Sequence, residues 1–182
     1  MIDSTREQRF RAIVLPHLNS AFNLACWLTR SRPDAEDVVQ EAYLRAFKFF
    51  DSFHGDDGRA WLLTIVRNTF YTWHKQNQTQ NTAFDEQCHS PDGENVLATE
   101  YVDNNPENLL LQKDSQQQLL QALQALPLEF REVMVLRELE DLSYKQIAAI
   151  VGIPIGTVMS RLGRGRKLLE RVPAPVQLRN LG

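Results

Sequence analysis

Cysteine is nearly absent from this 182-residue chain: Cys26 and Cys88 are the only two, and they form no CxxC pair. That excludes a cysteine-rich zinc finger and a disulfide framework, and it suits a reducing cytoplasm. Long apolar runs are missing too. No segment reads as a membrane span or as a signal-peptide core, so a soluble cytoplasmic protein without membrane insertion is the expectation. The four histidines, His17, His54, His74 and His89, are dispersed. With no P-loop and no HExxH motif, neither a catalytic nor a metal site emerges, and no cofactor is implied. Strand-type alternation is equally scarce. Positive charge is in short supply overall, since 20 basic against 23 acidic residues leave a net −3. A free-standing nucleic-acid binder is usually basic. Any cationic surface here must therefore be local, or binding must be assisted by a partner.

Helical spacing, by contrast, recurs along the chain. Val14, Leu18, Ala21, Phe22, Ala25 and Leu28 fall on one stripe of a first helix, with Pro16 as a bend near its start. A second helix begins around residues 31–33, where Ser31 and Asp34 form a capping-box pattern. It runs to about Phe50 and buries Val38, Ala42 and Ala46. Its outer surface, Asp34, Asp37, Gln40, Glu41, Arg45 and Lys48, is acidic first and basic later, as a helix dipole favours. After a loop at residues 51–58, a third helix is expected over residues 59–75, with Trp61, Ile65, Thr69 and Trp73 inward. Its outward stripe is Thr64, Arg67, Asn68, Tyr71 and Lys75. Cations interleaved with an aromatic suit single-stranded nucleic acid, although a polar helix exterior would look the same.

Residues 77–107 contain no Lys or Arg, and Asp85, Glu86, Asp92, Glu94, Glu100, Asp103 and Glu107 are scattered among polar residues. Such a stretch buries too little apolar surface to offset its ordering entropy, so it reads as a flexible acidic linker. It is either a spacer or a mimic of nucleic acid in a partner's basic channel. Helices resume near Asn108 with Leu109, Leu110, Leu119, Leu120, Leu123 and Leu126. Pro127 separates that helix from one packed through Phe130, Val133, Met134 and Leu136.

The most informative stretch is residues 142–169, LSYKQIAAIVGIPIGTVMSRLGRGRKLL. Ser143 is a natural N-cap with Gln146 at N3, and Leu142 and Ile147 stand where a hydrophobic staple belongs. Gly152 ends the helix and Pro154 starts the next. There Ile155, Val158, Leu162 and Leu169 are expected inward, opposite Thr157, Ser160, Arg161, Arg164, Lys167 and Arg171. Cap, staple, turn glycine and basic stripe together read as a DNA-binding helix-turn-helix. Gly163 and Gly165 weaken the second helix, and the sequence leaves their purpose open between phosphate approach and drift. The fold class is thus all-α: two small helical domains joined by a flexible acidic linker, the C-terminal one a helix-turn-helix.

Three segments in order, DAEDVVQEAYLRAF at residues 34–47, AWLLTIVRNTFYTWHK at 60–75 and the unit at 127–169, resemble the extracytoplasmic-function (ECF) sigma factors of the bacterial sigma-70 family. The resemblance implies a non-enzymatic promoter-specificity subunit partnered by RNA polymerase core, promoter DNA and an anti-sigma factor. It implies a region 2 domain at residues 1–76, a linker at 77–107 that threads toward the RNA exit channel, and a region 4 domain at 108–182. Asp34, Asp37, Gln40, Glu41 and Arg45 would face polymerase. Phe53, Arg59, Thr64, Arg67, Asn68, Tyr71 and Lys75 would meet the melted −10 element, the loop at residues 53–59 holding a flipped base. Ser143, Gly156, Thr157, Ser160, Arg161, Arg164 and Lys167 would read or anchor the −35 duplex. Where Met159 stands, the family often has Lys. The runner-up reading is an ordinary dimeric helix-turn-helix regulator, which leaves the first two segments unexplained; an adaptor without DNA contact is disfavoured by the basic stripe.

Overall fold

The computed structural model describes residues 2–81 and 106–171, and their regular structure is entirely helical. Four helices form a first unit: α1 (Ile2–Val14), α2 (Leu18–Thr29), α3 (Arg32–Phe49) and α4 (Gly58–Asn81). Four form a second: α5 (Pro106–Ala125), α6 (Leu128–Met134), α7 (Tyr144–Val151) and α8 (Ile155–Glu170). A π-helical turn, Val135–Leu139, extends α6. The acidic segment with Cys88 lies outside the described residues apart from its ends, where residues 77–81 continue α4 and Pro106 and Glu107 open α5.

The single first helix expected from the sequence is two helices. Pro16 lacks an amide proton, and the chain passes it in a 3-10 turn, Leu15–His17, that separates α1 from α2. α1 brings Phe10 into an aromatic cluster, its ring 5.1 Å from Tyr43, 5.1 Å from Phe47 and 5.3 Å from Phe50. Edge-to-face contacts of this kind add to simple burial. α3 starts as expected at Ser31, whose hydroxyl accepts from the Asp34 amide at 3.4 Å. The box is not completed, because the Ser31 amide donates to Thr29 Oγ1. Ala35, Val38, Ala42 and Ala46 are buried on its inner face. After α3 the chain makes a second 3-10 turn, Phe50–Ser52, inside the expected loop.

α4 is rotated relative to expectation. Leu62, Leu63, Val66, Thr69 and Phe70 are the buried residues, while Trp61, Ile65 and Trp73 are half-buried at the margin. Tryptophans at a stripe's edge cover the core without entering it, and the smaller aliphatics take the centre. At Gly58, the first residue of α4, glycine lets the chain pack closely on α1: an added Cβ would lie 2.5 Å from Ile13 Cγ2 and 3.2 Å from its carbonyl oxygen. Asp57 caps the helix by accepting from the Ala60 amide at 2.9 Å.

In the second unit, Leu123, Leu126, Val133, Met134, Val135, Leu136, Ile147, Ile150, Val158 and Leu162 are buried together. Gly165 is buried where α8 crosses α6; a Cβ there would sit 3.0 Å from Met134 Cγ, so this glycine serves helix packing. A Cβ at Gly163 would meet nothing.

Candidate nucleic-acid interface

α7 and α8 meet at 100°, the geometry of a helix-turn-helix. The cap read from the sequence is complete. Ser143 Oγ accepts from the Gln146 amide at 3.1 Å, and Gln146 Oε1 accepts from the Ser143 amide at 2.9 Å. Leu142 and Ile147 are buried as a staple. Gly152 closes α7 at φ 74°, a left-handed conformation that glycine adopts without a side-chain penalty. Ser143 thereby uses its hydroxyl inside the fold.

Along α8, Ser160, Arg164 and Lys167 are exposed, Thr157 is half-buried, and Gly156 is bare to solvent. Arg161 is only 23 % exposed and lies 3.8 Å from Glu129 and 3.9 Å from Glu132. Arg166, outside the expected stripe, pairs with Glu138 at 2.8 Å. Ile155 does not join the inward face: it is 45 % exposed, and Met159 one turn later is 54 % exposed. As the first residue of α8, Ile155 precedes the point where the helix settles onto α6.

The expected outward stripe of α4 divides. Asn68 and Lys75 are exposed, and Thr64 is half-buried with its hydroxyl donating to the Ala60 carbonyl at 2.8 Å. Arg67 and Tyr71 instead face the second unit. Arg67 donates to both carboxylate oxygens of Glu132, at 2.9 and 3.2 Å, and the Tyr71 hydroxyl donates to the same group at 3.2 Å. The Arg67 guanidinium also lies 4.4 Å over the Tyr71 ring. Burial opposes the charge on Arg67, but the bonds to Glu132 outweigh it and its pKa is raised. The Tyr71 phenol is pushed up to about 12, first by burial and then by the negative charge of Glu132. Glu132 itself is 1 % exposed.

Further contacts close the same seam. Arg59 donates to the carbonyl and carboxylate of Glu140, and Asn23 donates to Glu140 Oε1 at 2.7 Å. Gln146 donates to Asp57 Oδ2 at 2.8 Å. Arg131, buried, donates across the seam to the Leu28 carbonyl at 3.4 Å and within its own unit to the carbonyls of Gln124 and Leu126 at 3.0 Å each, and its pKa falls to about 10, chiefly through burial. Sequence reasoning missed Glu132, Glu140 and Arg131. The signal was the placement of Arg131 and Glu132 in the apolar run of α6, and of Glu140 just past its π-helical extension, where a charge needs a partner from elsewhere. Phe53, half-buried, packs against Trp61 at 4.9 Å and Phe50 at 6.3 Å.

On α3, Asp37, Gln40 and Glu41 are exposed, and Asp34 and Arg45 are half-buried. Arg45 donates to Glu41 at 2.8 Å. Leu44, Phe47 and Phe49 are exposed beside them at 57, 39 and 54 %, giving an apolar surface flanked by acid. Among the described residues no group of His, Cys, Asp or Glu is placed to hold a metal ion, and no single helix is long and apolar enough to cross a membrane.

Comparison with known proteins matches residues 13–80 to Sigma-70 region 2 and residues 116–169 to Sigma-70, region 4. The chain is 35% identical over 145 residues to the ECF RNA polymerase sigma-E factor of Escherichia coli (strain K12), covering 79% of this chain and 75% of that one. It is 34% identical over 159 residues to the ECF RNA polymerase sigma factor SigE of Mycolicibacterium smegmatis, covering 87% of this chain and 59% of the relative. Among solved structures it is similar to the sigma factor RpoE in complex with the anti-sigma factor NepR from Bartonella quintana, with TM-score 0.74, 28% identity, and 91% and 96% of the two chains covered. CnrH in complex with the cytosolic domain of CnrY shares the fold, with TM-score 0.58 and 23% identity over 90% of this chain and 86% of that one. Two regions matched in order, a helix-turn-helix with its cap intact, and relatives aligned over most of their length lead to one conclusion: the chain belongs to the sigma-70 family as an extracytoplasmic-function sigma factor, a factor that directs promoter-specific transcription initiation.

Proposed function

We propose that α3 docks RNA polymerase core, α4 engages the melted −10 strand, and α8 lies in the major groove of the −35 duplex. Residues 1–76 and 108–182 act as the two functional domains in this reading, with residues 77–107 between them. Asp34, Asp37, Gln40, Glu41 and Arg45 form the polar part of the docking face, around the exposed side chain of Leu44. Thr157, Ser160, Arg161, Arg164 and Lys167 serve the −35 duplex, with Gly156 letting the backbone come close; Ser143 serves it indirectly, as a cap. Phe53, Arg59, Thr64, Arg67, Asn68, Tyr71 and Lys75 serve the −10 strand.

The observation that supports this best is the exposed polar edge of α8, held at 100° to α7 by a complete capping box. A helix so fixed presents its first turns to base edges. Engagement of the −10 strand requires the two units to part, because Arg59, Arg67 and Tyr71 are occupied by Glu140 and Glu132. The acidic balance of the chain fits a factor that reaches DNA as part of the polymerase. An anti-sigma factor that binds both units and a cytoplasmic location complete the reading.

The test is reconstitution. The full chain mixed with core polymerase should co-elute as a stable complex and protect a promoter fragment at both elements. Arg164→Ala should weaken protection while leaving co-elution intact. A chain that fails to join core, yet binds duplex tightly as a dimer, overturns the proposal in favour of a simple helix-turn-helix regulator.

A further inference from the structure

Resting on the −35 reading, we propose that Ile155 and Met159 are specificity-determining residues that read the 5-methyl groups of thymines in the −35 element. Ile155 is the first residue of α8, and Met159 follows one turn later on the same face. They are 45 and 54 % exposed, the two large apolar side chains left open on this unit among the described residues. Neither is needed to fill the core, which Val158 and Leu162 supply from the adjacent face.

Their neighbours point to the occupant. Gly156, Ser160 and Arg164 are exposed around them, so the apolar pair sits inside a polar and cationic edge. A protein-binding stripe would continue as an apolar row, whereas here the row ends after one turn. In the major groove, the one apolar group that a base pair presents is the thymine methyl, and apolar side chains read it by contact. Residues four apart stand about 6 Å apart along a helix axis, nearly two base steps of about 3.4 Å. The pair is thus spaced to touch methyls on neighbouring or next-neighbouring base pairs.

Gly156 supplies a second observation. A Cβ there would meet nothing within the chain, so packing does not explain a residue that weakens a helix. Its bare backbone lies beside the two apolar side chains in the first turn of α8 and allows that turn to sit close to the groove floor.

The experiment uses holoenzyme assembled from core polymerase and the full chain. A promoter fragment randomised through the −35 element is first selected for occupancy, and thymines should be enriched at one or two positions within two steps of each other. Each is then replaced by deoxyuridine, which removes only the methyl. Occupancy should fall about fourfold per methyl, as expected for one methylene-sized apolar group. Ile155→Ala or Met159→Ala should abolish that sensitivity at its own position while leaving core binding unchanged.

No thymine enrichment, equal occupancy on deoxyuridine, or sensitivity that survives both alanine variants overturns the inference. So does a loss of core binding on Met159→Ala, which would make the pair a protein contact. Arg164→Ala separates the two levels. If it weakens −35 occupancy while the methyl effects are absent, only the inference fails; if it too has no effect, the −35 reading itself fails.

Discussion

Arg67 grips Glu132 through two parallel hydrogen bonds, at 2.9 and 3.2 Å, across the seam between the first and second units. Two-point pairing of guanidinium with carboxylate is the strongest form of this contact, and here the carboxylate is almost fully out of water. A residue expected at the −10 strand is therefore committed to the factor's other half. Glu132→Gln removes the charge while keeping the shape. Breaking a buried pair is worth about 3–5 kcal/mol, and Arg67 can regain water only if the units separate. The variant should have a larger radius of gyration by X-ray scattering and should bind a single-stranded −10 oligonucleotide more tightly. An unchanged radius with unchanged affinity would show that the seam is held by other contacts.

Tyr71 gives the same seam a pH signature. Its phenol titrates at about 12 in the folded chain, above the ordinary value of 10.0, first because it is buried and then because Glu132 lies beside it. A raised folded pKa means that its contribution is complete below pH 10 and is lost as pH rises toward 12. Ultraviolet titration of wild type against Tyr71→Phe should show one phenol ionising late. In Glu132→Gln that phenol should ionise earlier; if it does not, the two groups are uncoupled.

The cap at Ser143 separates folding from recognition. Ser143→Ala should destabilise the second unit by about 1 kcal/mol, the usual loss for an N-cap, and weaken −35 occupancy through that loss. Ser143→Asp, which can still cap, should restore both. Thermal melts and footprinting on the two variants decide the matter, because a direct base contact would not be rescued by a carboxylate.

The glycines of α8 should respond in opposite directions. Gly163→Ala meets nothing and should stabilise the helix by about 1 kcal/mol. Gly165→Val thrusts branched carbons at Met134 and Phe130 and should destabilise by about 1–3 kcal/mol, as overpacking does. Denaturant midpoints of the two variants that shifted the same way would contradict the packing described for Gly165.

The docking face is tested by reversing its charge. Asp37→Lys with Glu41→Lys replaces two exposed acids, so the helical circular dichroism and the melting midpoint should hold while co-elution with core polymerase is lost. Normal co-elution would move the docking surface off α3.

Local rules carried the reading where structure is local. The capping box, the staple and Gly152 predicted α7 and its turn because each acts within a few residues. Pro16 was visible as a bend, but whether it bent or split a helix depended on α1, whose many polar residues hide the buried Phe10. The phase of α4 was misread because its tryptophans looked like core, although aliphatic residues hold the centre. Arg67 and Tyr71 were correctly seen to leave that core. What they meet lies some 60 residues away in sequence, and no periodicity reveals a partner at that distance. Ile155 looked inward because it is apolar, whereas its place at the head of α8 leaves it nothing to cover.

Glu132 touches more than one surface: besides Arg67 and Tyr71 it stands 3.9 Å from Arg161 on α8. A single carboxylate thus stands beside cations of both units. Prying the halves apart frees Arg67 and Tyr71, while Arg161, on the same unit as Glu132, stays beside it and inherits the carboxylate undivided.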